Sequence, residues 1–355
     1  MIEKTIDDVL ALLRPNIRSL QPYRCARDDY DRGILLDANE NSAGDPFGNK
    51  EGLNRYPSPY QIPIKNKIAE LRGVRPEQIF TGVGSDEAID LIIRMFCVPS
   101  RHNIVITPPT YGMYKVSAQI NDVQVLQAPL TPDFELIPER VLEAANAETR
   151  VVFLCSPNNP TANLLSRDAI EKILLHFDGI VVVDEAYIDF APNQSWLKNL
   201  NRFPNLVVLQ TLSKAFGLAG VRLGLAFAHA GIIGFMNKVK APYNINQLTS
   251  ETVLKALDKT DVVARNLEML ISERNRVIQA MSEMPAVEKI YPSDANFVLF
   301  KVKDAYRFYK ETADGGVVAR YRGDQLHCEN GVRLTIGTHE ENNAFLEKLR
   351  LWNPL

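Results

Sequence analysis

Cysteine and histidine are both scarce. Four cysteines (Cys25, Cys97, Cys155 and Cys328) in 355 residues match no zinc-pair spacing and form no disulfide scaffold. That usage suits a reducing compartment, so a cytoplasmic location is expected. The five histidines make neither an HExxH nor an HxH pattern, and no metal site is expected. Charge of one sign is not in excess: 40 Lys and Arg against 43 Asp and Glu leave a net charge of −3. This argues against a broad nucleic-acid or membrane-binding surface. Long apolar runs are missing as well. The longest nearly apolar stretch, Leu223 to Phe235, is interrupted by His229 and is too short to span a bilayer. The acidic start, Met1 to Asp8, lacks the apolar run of a signal peptide. A soluble globular chain is left, long enough for roughly two domains.

No repeat, low-complexity tract or Gly/Ser-rich linker divides it. Its middle alternates short β-branched runs with helix-like segments. The runs are Ile104–Ile106, Val151–Cys155, Ile180–Val183 and Leu206–Leu209. Continuous apolar runs suit strands buried on both faces of a mostly parallel sheet. Between them, Pro138 to Ala145 reads as a helix, and Ser166 as the N-cap of another through Phe177. This alternation predicts an α/β domain with helices on both sheet faces. After about Thr249 the texture changes. A long helix over Val262 to Met284 is followed by strand-like Phe297–Phe300 and Val332–Ile336, then by a helix from about Glu340 to Leu351. A smaller α+β domain is expected there. Thr5 to Leu13 reads as a short helix with a Thr5/Asp8 capping box. The expected division is an N-terminal arm with part of the small domain (1–40), a large domain (41–255) and a small C-terminal domain (256–355).

Four polar clusters follow the strand-like runs, where ligands bind in open α/β sheets. In Phe80 to Glu87, a small-residue turn with Ser85 and Asp86 opens a helix and offers backbone N–H groups to an anion; taken alone, a plain glycine turn with a cap is the commoner case. Ser156 to Thr161 places Asn158 and Asn159 between prolines, as a binding loop or merely a rigid one. Asp184 ends a β-branched run, where a carboxylate is poorly hydrated and wants a cationic partner; a cap or structural ion pair is the plainer reading. Tyr187 lies three residues on. In Thr211 to Gly217, Lys214 sits among small and apolar residues, where desolvation favours a nucleophilic amine; a solvated surface lysine is the commoner case. Arg222 could then supply a fixed cation for a phosphate.

Taken together, the clusters ask for one ligand with a phosphate, an aldehyde for a lysine, a ring nitrogen wanting a carboxylate, and a phenolic oxygen. Pyridoxal 5′-phosphate has all four. A Rossmann dehydrogenase would use the first cluster but leave Asp184, Asn159 and Lys214 without a joint task, and a third spaced glycine is lacking.

The order Asn-Pro-Thr, Asp-x-x-Tyr, Ser-Lys and Arg resembles the fold-type I pyridoxal-phosphate aminotransferases. Asn159, Asp184, Tyr187, Ser213, Lys214 and Arg222 match residue by residue. Within them the chain is most similar to the histidinol-phosphate aminotransferase family. The stretches that carry this are Leu20–Tyr23, Leu36–Asn41, Asn54–Pro57, Pro108–Tyr114 and Arg333–Thr338. One departure is Ala162, where the family usually has glycine.

The resemblance implies a fold-type I architecture and roles for individual residues. Lys214 would hold the cofactor covalently and move the proton, and Asp184 would keep the ring nitrogen protonated. Asn159 and Tyr187 would bond the phenolic oxygen, and Tyr111 would stack on the ring. Ser85, Asp86, Ser213 and Arg222 would hold the phosphate, joined by Tyr56 from the neighbouring subunit of a homodimer with shared active sites. Tyr23, Asn39, Arg320 and Arg333 would bind substrate. The implied reaction exchanges an amino group between L-histidinol phosphate and 2-oxoglutarate, a step of histidine biosynthesis. Aromatic or broad-specificity aminotransferases and threonine-phosphate decarboxylases share the cofactor residues. A transcription regulator with such a domain would need a basic helix-turn-helix extension, and the segment before Tyr23 is too short for one.

Overall fold

A computed structural model describes residues 4–24, 32–48 and 52–353; Cys25 lies outside them. The helices are α1 (Ile6–Ala11), α2 (Pro15–Arg18), α3 (Ile62–Arg72), α4 (Gly84–Phe96), α5 (Met113–Ile120), α6 (Pro138–Ala144), α7 (Arg167–His176), α8 (Ala230–Val239), α9 (Gln247–Leu257), α10 (Thr260–Ser282), α11 (Ala305–Asp314) and α12 (His339–Arg350). The strands are β1 (Ile79–Val83), β2 (Asn103–Ile106), β3 (Gln124–Gln127), β4 (Thr149–Cys155), β5 (Ile180–Asp184), β6 (Leu206–Thr211), β7 (Leu223–Ala228), β8 (Val287–Ile290), β9 (Phe297–Val302), β10 (Arg320–Tyr321) and β11 (Gly331–Thr335).

Seven strands form one sheet in the order β1-β7-β6-β5-β4-β2-β3. The neighbours from β6 to β3 run parallel, and only β7 opposes its neighbours β1 and β6. The expected mostly parallel sheet is therefore present. Alternation along the strands divides its side chains between two cores. Val152, Leu154, Val181, Val183 and Val208 meet Ile170, Ile173 and Leu174 of α7. Val151, Phe153, Ile180, Val182 and Val207 face Ile89, Ile92 and Ile93 of α4 and Ile232 of α8. Both faces are thus sealed, which is why the strand sequences read as unbroken apolar runs.

The apolar stretch ending at Phe235 is β7 followed by most of α8. His229 caps that helix, its Nδ1 accepting from the Gly231 N–H at 3.1 Å. The Thr5/Asp8 capping box of α1 is formed. Val9, Leu13 and Ile17 then join the α4–α8 core, so the first two helices belong with the large sheet and not with the small one. Residue 255 lies inside α9, whose Val253 and Leu257 also join a large-sheet core.

The second sheet is antiparallel throughout, in the order β10-β11-β9-β8. Phe300, Phe308 and Phe345 stack edge to face over it, with Val277 and Met281 of α10. No helix among the described residues is long and apolar enough to cross a membrane.

Candidate active site

The parallel strands bring their carboxyl ends to one sheet edge. Cys155, Asp184 and Thr211 end β4, β5 and β6, and Val83 ends β1 at the same edge because β1 and β6 both oppose β7. For that reason the residue just before β7, Arg222, reaches this edge too. One cavity there is lined by Ser85, Asp86, Tyr111, Asn159, Asp184, Tyr187, Ser213, Lys214 and Arg222, together with Gly84, Cys155, Ala186, Thr211 and Ala219. Residues 138 positions apart in sequence thus share one chamber.

Asp184 is the deepest charge, 2 % exposed. Its Oδ2 accepts from the Tyr114 hydroxyl at 2.6 Å and its Oδ1 from the Ala186 N–H at 3.1 Å. Burial pushes its carboxyl up to about 6, although both hydrogen bonds pull the other way. A buried carboxylate with neutral donors and no ion pair among the described residues favours a cation in the cavity beside it. Tyr114 is wholly buried, stacked on Phe153 at 4.8 Å and edge-on to Tyr111 at 5.6 Å.

Lys214 lies three residues past β6, its amine 5.5 Å from the Tyr187 ring centre. Burial and the Arg333 charge lower its pKa, while Asp184 opposes them. This favours the neutral, nucleophilic amine. Burial pushes the Tyr187 hydroxyl well up, so it stays a proton donor. Asn159 is 9 % exposed and its Oδ1 accepts from Arg333 Nη1 at 2.6 Å. With the amide oxygen engaged, Nδ2 remains for a ligand oxygen.

The other end of the cavity is an anion cradle. Gly84 opens α4 with φ +73°, and its N–H donates to the Arg222 carbonyl at 3.1 Å. A Cβ on Gly84 would stand 2.6 Å from Arg222 Nη2, and one on Gly224 would overlap the Gly84 carbonyl carbon and the Ser85 nitrogen. The close approach of β7 to the α4 start therefore needs Gly224, while Gly84 is favoured by its left-handed φ. Asp86 is already engaged: Oδ1 accepts from the Tyr111 hydroxyl at 3.0 Å and Oδ2 lies 3.7 Å from Arg222. These contacts offset its charge and leave the α4 N-terminus free to attract an anion.

The chain matches the aminotransferase class I and II family over residues 29–349. It belongs to that family. Curated relatives named histidinol-phosphate aminotransferase are 48 % identical over 345 residues in Parabacteroides distasonis, covering 97 % of this chain and 98 % of the relative, and 45 % identical over 351 residues in Flavobacterium johnsoniae, covering 98 % and 99 %. The fold is shared with a histidinol-phosphate aminotransferase from Clostridium acetobutylicum (TM-score 0.78, 23 % identity, 88 % of this chain and 97 % of that one). It is shared with an L-threonine-O-3-phosphate decarboxylase from Porphyromonas gingivalis too (TM-score 0.69, 22 % identity, 84 % and 90 %). Architecture alone therefore does not separate these two activities.

As an aminotransferase of this family the chain uses pyridoxal 5′-phosphate, and the cavity fits it. The glycine-walled cradle suits a phosphate, the buried Asp184 a ring nitrogen, and the desolvated Lys214 an aldehyde. Five expected residues are not among those lining the cavity; of these only Arg333 is tied to it, through Asn159. Tyr23 is 69 % exposed beside a separate hollow with Tyr60 and Tyr243. Tyr56 is half-exposed and stacks on Tyr243 at 4.7 Å. Asn39 is exposed with φ +53°, and Arg320 is exposed on β10. Tyr114, Cys155 and Thr211 are site residues the sequence reading missed. The signal for Tyr114 is its place three residues after Tyr111 at the start of an apolar helix, since a buried phenol needs a hydrogen-bond partner. No group of three or more His, Cys, Asp or Glu among the described residues is placed to hold a metal.

Proposed function

We propose that this aminotransferase moves the amino group of L-glutamate to imidazole acetol phosphate, releasing 2-oxoglutarate and then L-histidinol phosphate, in histidine biosynthesis. The carrying observation is the Arg333–Asn159 contact, which sets a half-buried guanidinium beside the cofactor cavity. An arginine fork accepts a carboxylate or a phosphate equally well, as two unlike substrates in one site require. The names of the relatives at 44–48 % identity support the same substrates.

The bound cofactor supplies an electron sink for the carbanion left when the substrate's α-carbon loses its proton. Lys214 would hold the cofactor, and its amine, once free, would be the base that takes the substrate's α-proton and gives it back. Asp184, ionised, would keep the ring nitrogen protonated, with Tyr114 orienting the carboxylate. Asn159 Nδ2 and the Tyr187 hydroxyl would donate to the phenolic oxygen, and Tyr111 would lie against the ring. The Ser85 and Asp86 N–H groups, Ser213 and Arg222 would hold the phosphate. Arg333 binds the substrate anion, the role the resemblance also gives to Arg320, Tyr23 and Asn39.

The same reading includes a cytoplasmic homodimer. Tyr23, Ile34, Leu36, Phe47, Tyr56 and Tyr60 are large apolar or aromatic residues left exposed between positions 23 and 60. A second copy covering them would bring its Tyr56 to the phosphate.

The test is a pair of half-reactions, following the visible absorbance of the holoenzyme. Loss of the band with both L-histidinol phosphate and L-glutamate is expected. Response to glutamate alone would keep the aminotransferase and overturn the substrate. Carbon dioxide release from L-threonine phosphate would assign the decarboxylase instead.

A further inference from the structure

Asn159 sits in a loop whose ends are tied together. The Ala162 N–H donates to the Asn158 carbonyl at 2.7 Å, and the Asn158 N–H donates to the Asn163 carbonyl at 2.8 Å. The loop is then gripped from the small domain. Asp294, in the turn between β8 and β9, donates its N–H to the Ala162 carbonyl at 2.8 Å, and its Oδ2 accepts from the Leu164 N–H at 2.9 Å. One residue thus holds the chain on both sides of Asn163.

The grip falls where the backbone is strained. Ala162 is fully buried with φ +69°. A residue with a Cβ persists in that region only where its surroundings over-determine it. The turn that carries Asp294 is itself anchored: Arg274 Nη1 donates to the Ala295 carbonyl at 2.7 Å, and the Ser293 hydroxyl donates to the Phe297 carbonyl at 2.6 Å. Ala162 also packs with Ala295 and Phe297 in one buried cluster. That packing and the Asp294 N–H bond survive a change of the Asp294 side chain, so only the Leu164 contact depends on its carboxylate.

Arg333 fixes the rotation of the Asn159 amide, whereas Asp294 fixes the backbone beneath it. We propose that Asp294 is a positioning residue: by clamping Ala162 and Leu164 it holds Asn159 Nδ2 at the cofactor's phenolic oxygen. This rests on the role proposed above for Asn159. A donor to that oxygen stabilises its negative charge. It thereby weakens the hold of the Lys214-linked nitrogen on its proton, which the visible absorbance of the resting holoenzyme reports.

The experiment follows that absorbance against pH for wild type, Asn159→Ala, Asp294→Ala, Asp294→Asn and the double variant Asn159→Ala/Asp294→Ala. Asp86, Tyr111, Cys155, Asp184, Tyr187, Lys214 and Arg222 face the cofactor cavity, and Arg333 lies behind Asn159; all are common to the five proteins. Asn159→Ala should raise the pH midpoint by about one unit, a tenfold tighter hold on the proton. Asp294→Ala should raise it by about half a unit, roughly threefold. The double variant should match Asn159→Ala alone, because the clamp acts through that amide. The Asp294 charge also favours that of Arg274, so charge must be separated from contact. Asp294→Asn keeps an oxygen for the Leu164 N–H and should return the midpoint to that of wild type. A shift in Asp294→Asn as large as in Asp294→Ala would assign the effect to lost charge and overturn the proposal. An unmoved midpoint in Asp294→Ala, or additive shifts in the double variant, would overturn it too. Should Asp294→Ala not fold, Asp294→Ser, whose hydroxyl is one bond too short for the Leu164 N–H, takes its place. If Asn159→Ala leaves the midpoint unmoved, the role proposed for Asn159 falls first, and the clamp with it.

Discussion

Arg333 Nη1 donates to Asn159 Oδ1 at 2.6 Å, joining two residues 174 positions apart. One stands on β11 of the small sheet, the other in the loop after β4 of the large sheet. The bond fixes the Asn159 amide with its oxygen toward the small domain and its nitrogen toward the cavity. On the proposed roles of these two residues, substrate and cofactor recognition would be linked through one side chain.

Replacing Arg333 by Gln should raise the KM for both amino donor and acceptor by about 10- to 100-fold. The effect on kcat should be smaller, because the groups that move the proton are untouched. Steady-state kinetics with each substrate varied in turn checks this, and unchanged KM values would remove Arg333 from the substrate site.

Asp184 should make the cofactor-free protein less stable as pH rises. Its folded pKa of about 6 lies above the reference 3.8 because burial disfavours the charge. The folded state thus binds the proton more tightly than the unfolded state. That stabilisation is complete below about pH 3.8 and is lost as pH passes through about 6. Relative to Asp184→Asn, the cofactor-free wild type should lose on the order of 1–3 kcal/mol between pH 4 and pH 8. Urea unfolding of both proteins at pH 4, 6 and 8 measures it. Glu185, pushed up to about 7 by burial, is present in both and cancels. Equal pH slopes would sink the argument.

Tyr114→Phe should leave Asp184 Oδ2 buried without its donor. The carboxyl pKa should then rise further, and the acid limb of the activity profile should move to higher pH. Cofactor dissociation should become about tenfold easier, the scale of a hydrogen bond to a charged group. A pH–rate profile and a cofactor titration test both consequences. No change in either would make Tyr114 a packing residue only.

Gly224→Ala should displace the start of α4, because the added methyl overlaps the Gly84 carbonyl carbon and the Ser85 nitrogen. A stability loss of about 1–3 kcal/mol is expected, with cofactor affinity lowered about tenfold or more through the two lost N–H contacts. Gly220→Ala is the control, since a Cβ there meets nothing within 4 Å. Similar behaviour of the two variants would refute the close-approach explanation.

The legibility of this chain was uneven for physical reasons. Double-sided burial writes itself into sequence, so β4, β5 and β6 were recognisable from Val151, Ile180 and Leu206 onward. The half-exposed β3, with no buried residue, left no comparable run. The cap of α7 was readable because Ser166 accepts locally, from Ala169. The residues after strand ends were readable as a set because parallel strands deliver them to one edge. What was not readable depends on long-range pairing. Nothing local in Val318 to Arg322 tells that Arg320 and Arg322 share the sheet face of Arg333; the register of β10 on β11 decides it. Ala162 adopts φ +69°, a left-handed conformation costing roughly 1–2 kcal/mol for a residue with a Cβ, at the position where the family resemblance leads to an expectation of glycine.

The edge position of β1 carries a kinetic consequence. Ile79 pairs with Phe227 and Val83 with Leu223, so β1 has no strand neighbour until roughly 140 further residues have been made. Gly84 and Arg222 cannot meet before then, and Arg333 arrives later still. During synthesis the emerging chain passes through a stage in which β2 to β6 can assemble while the phosphate cradle does not yet exist. Recovery of cofactor binding on refolding should accordingly trail the recovery of helix and strand signal, and would serve as a clock for completion of the fold.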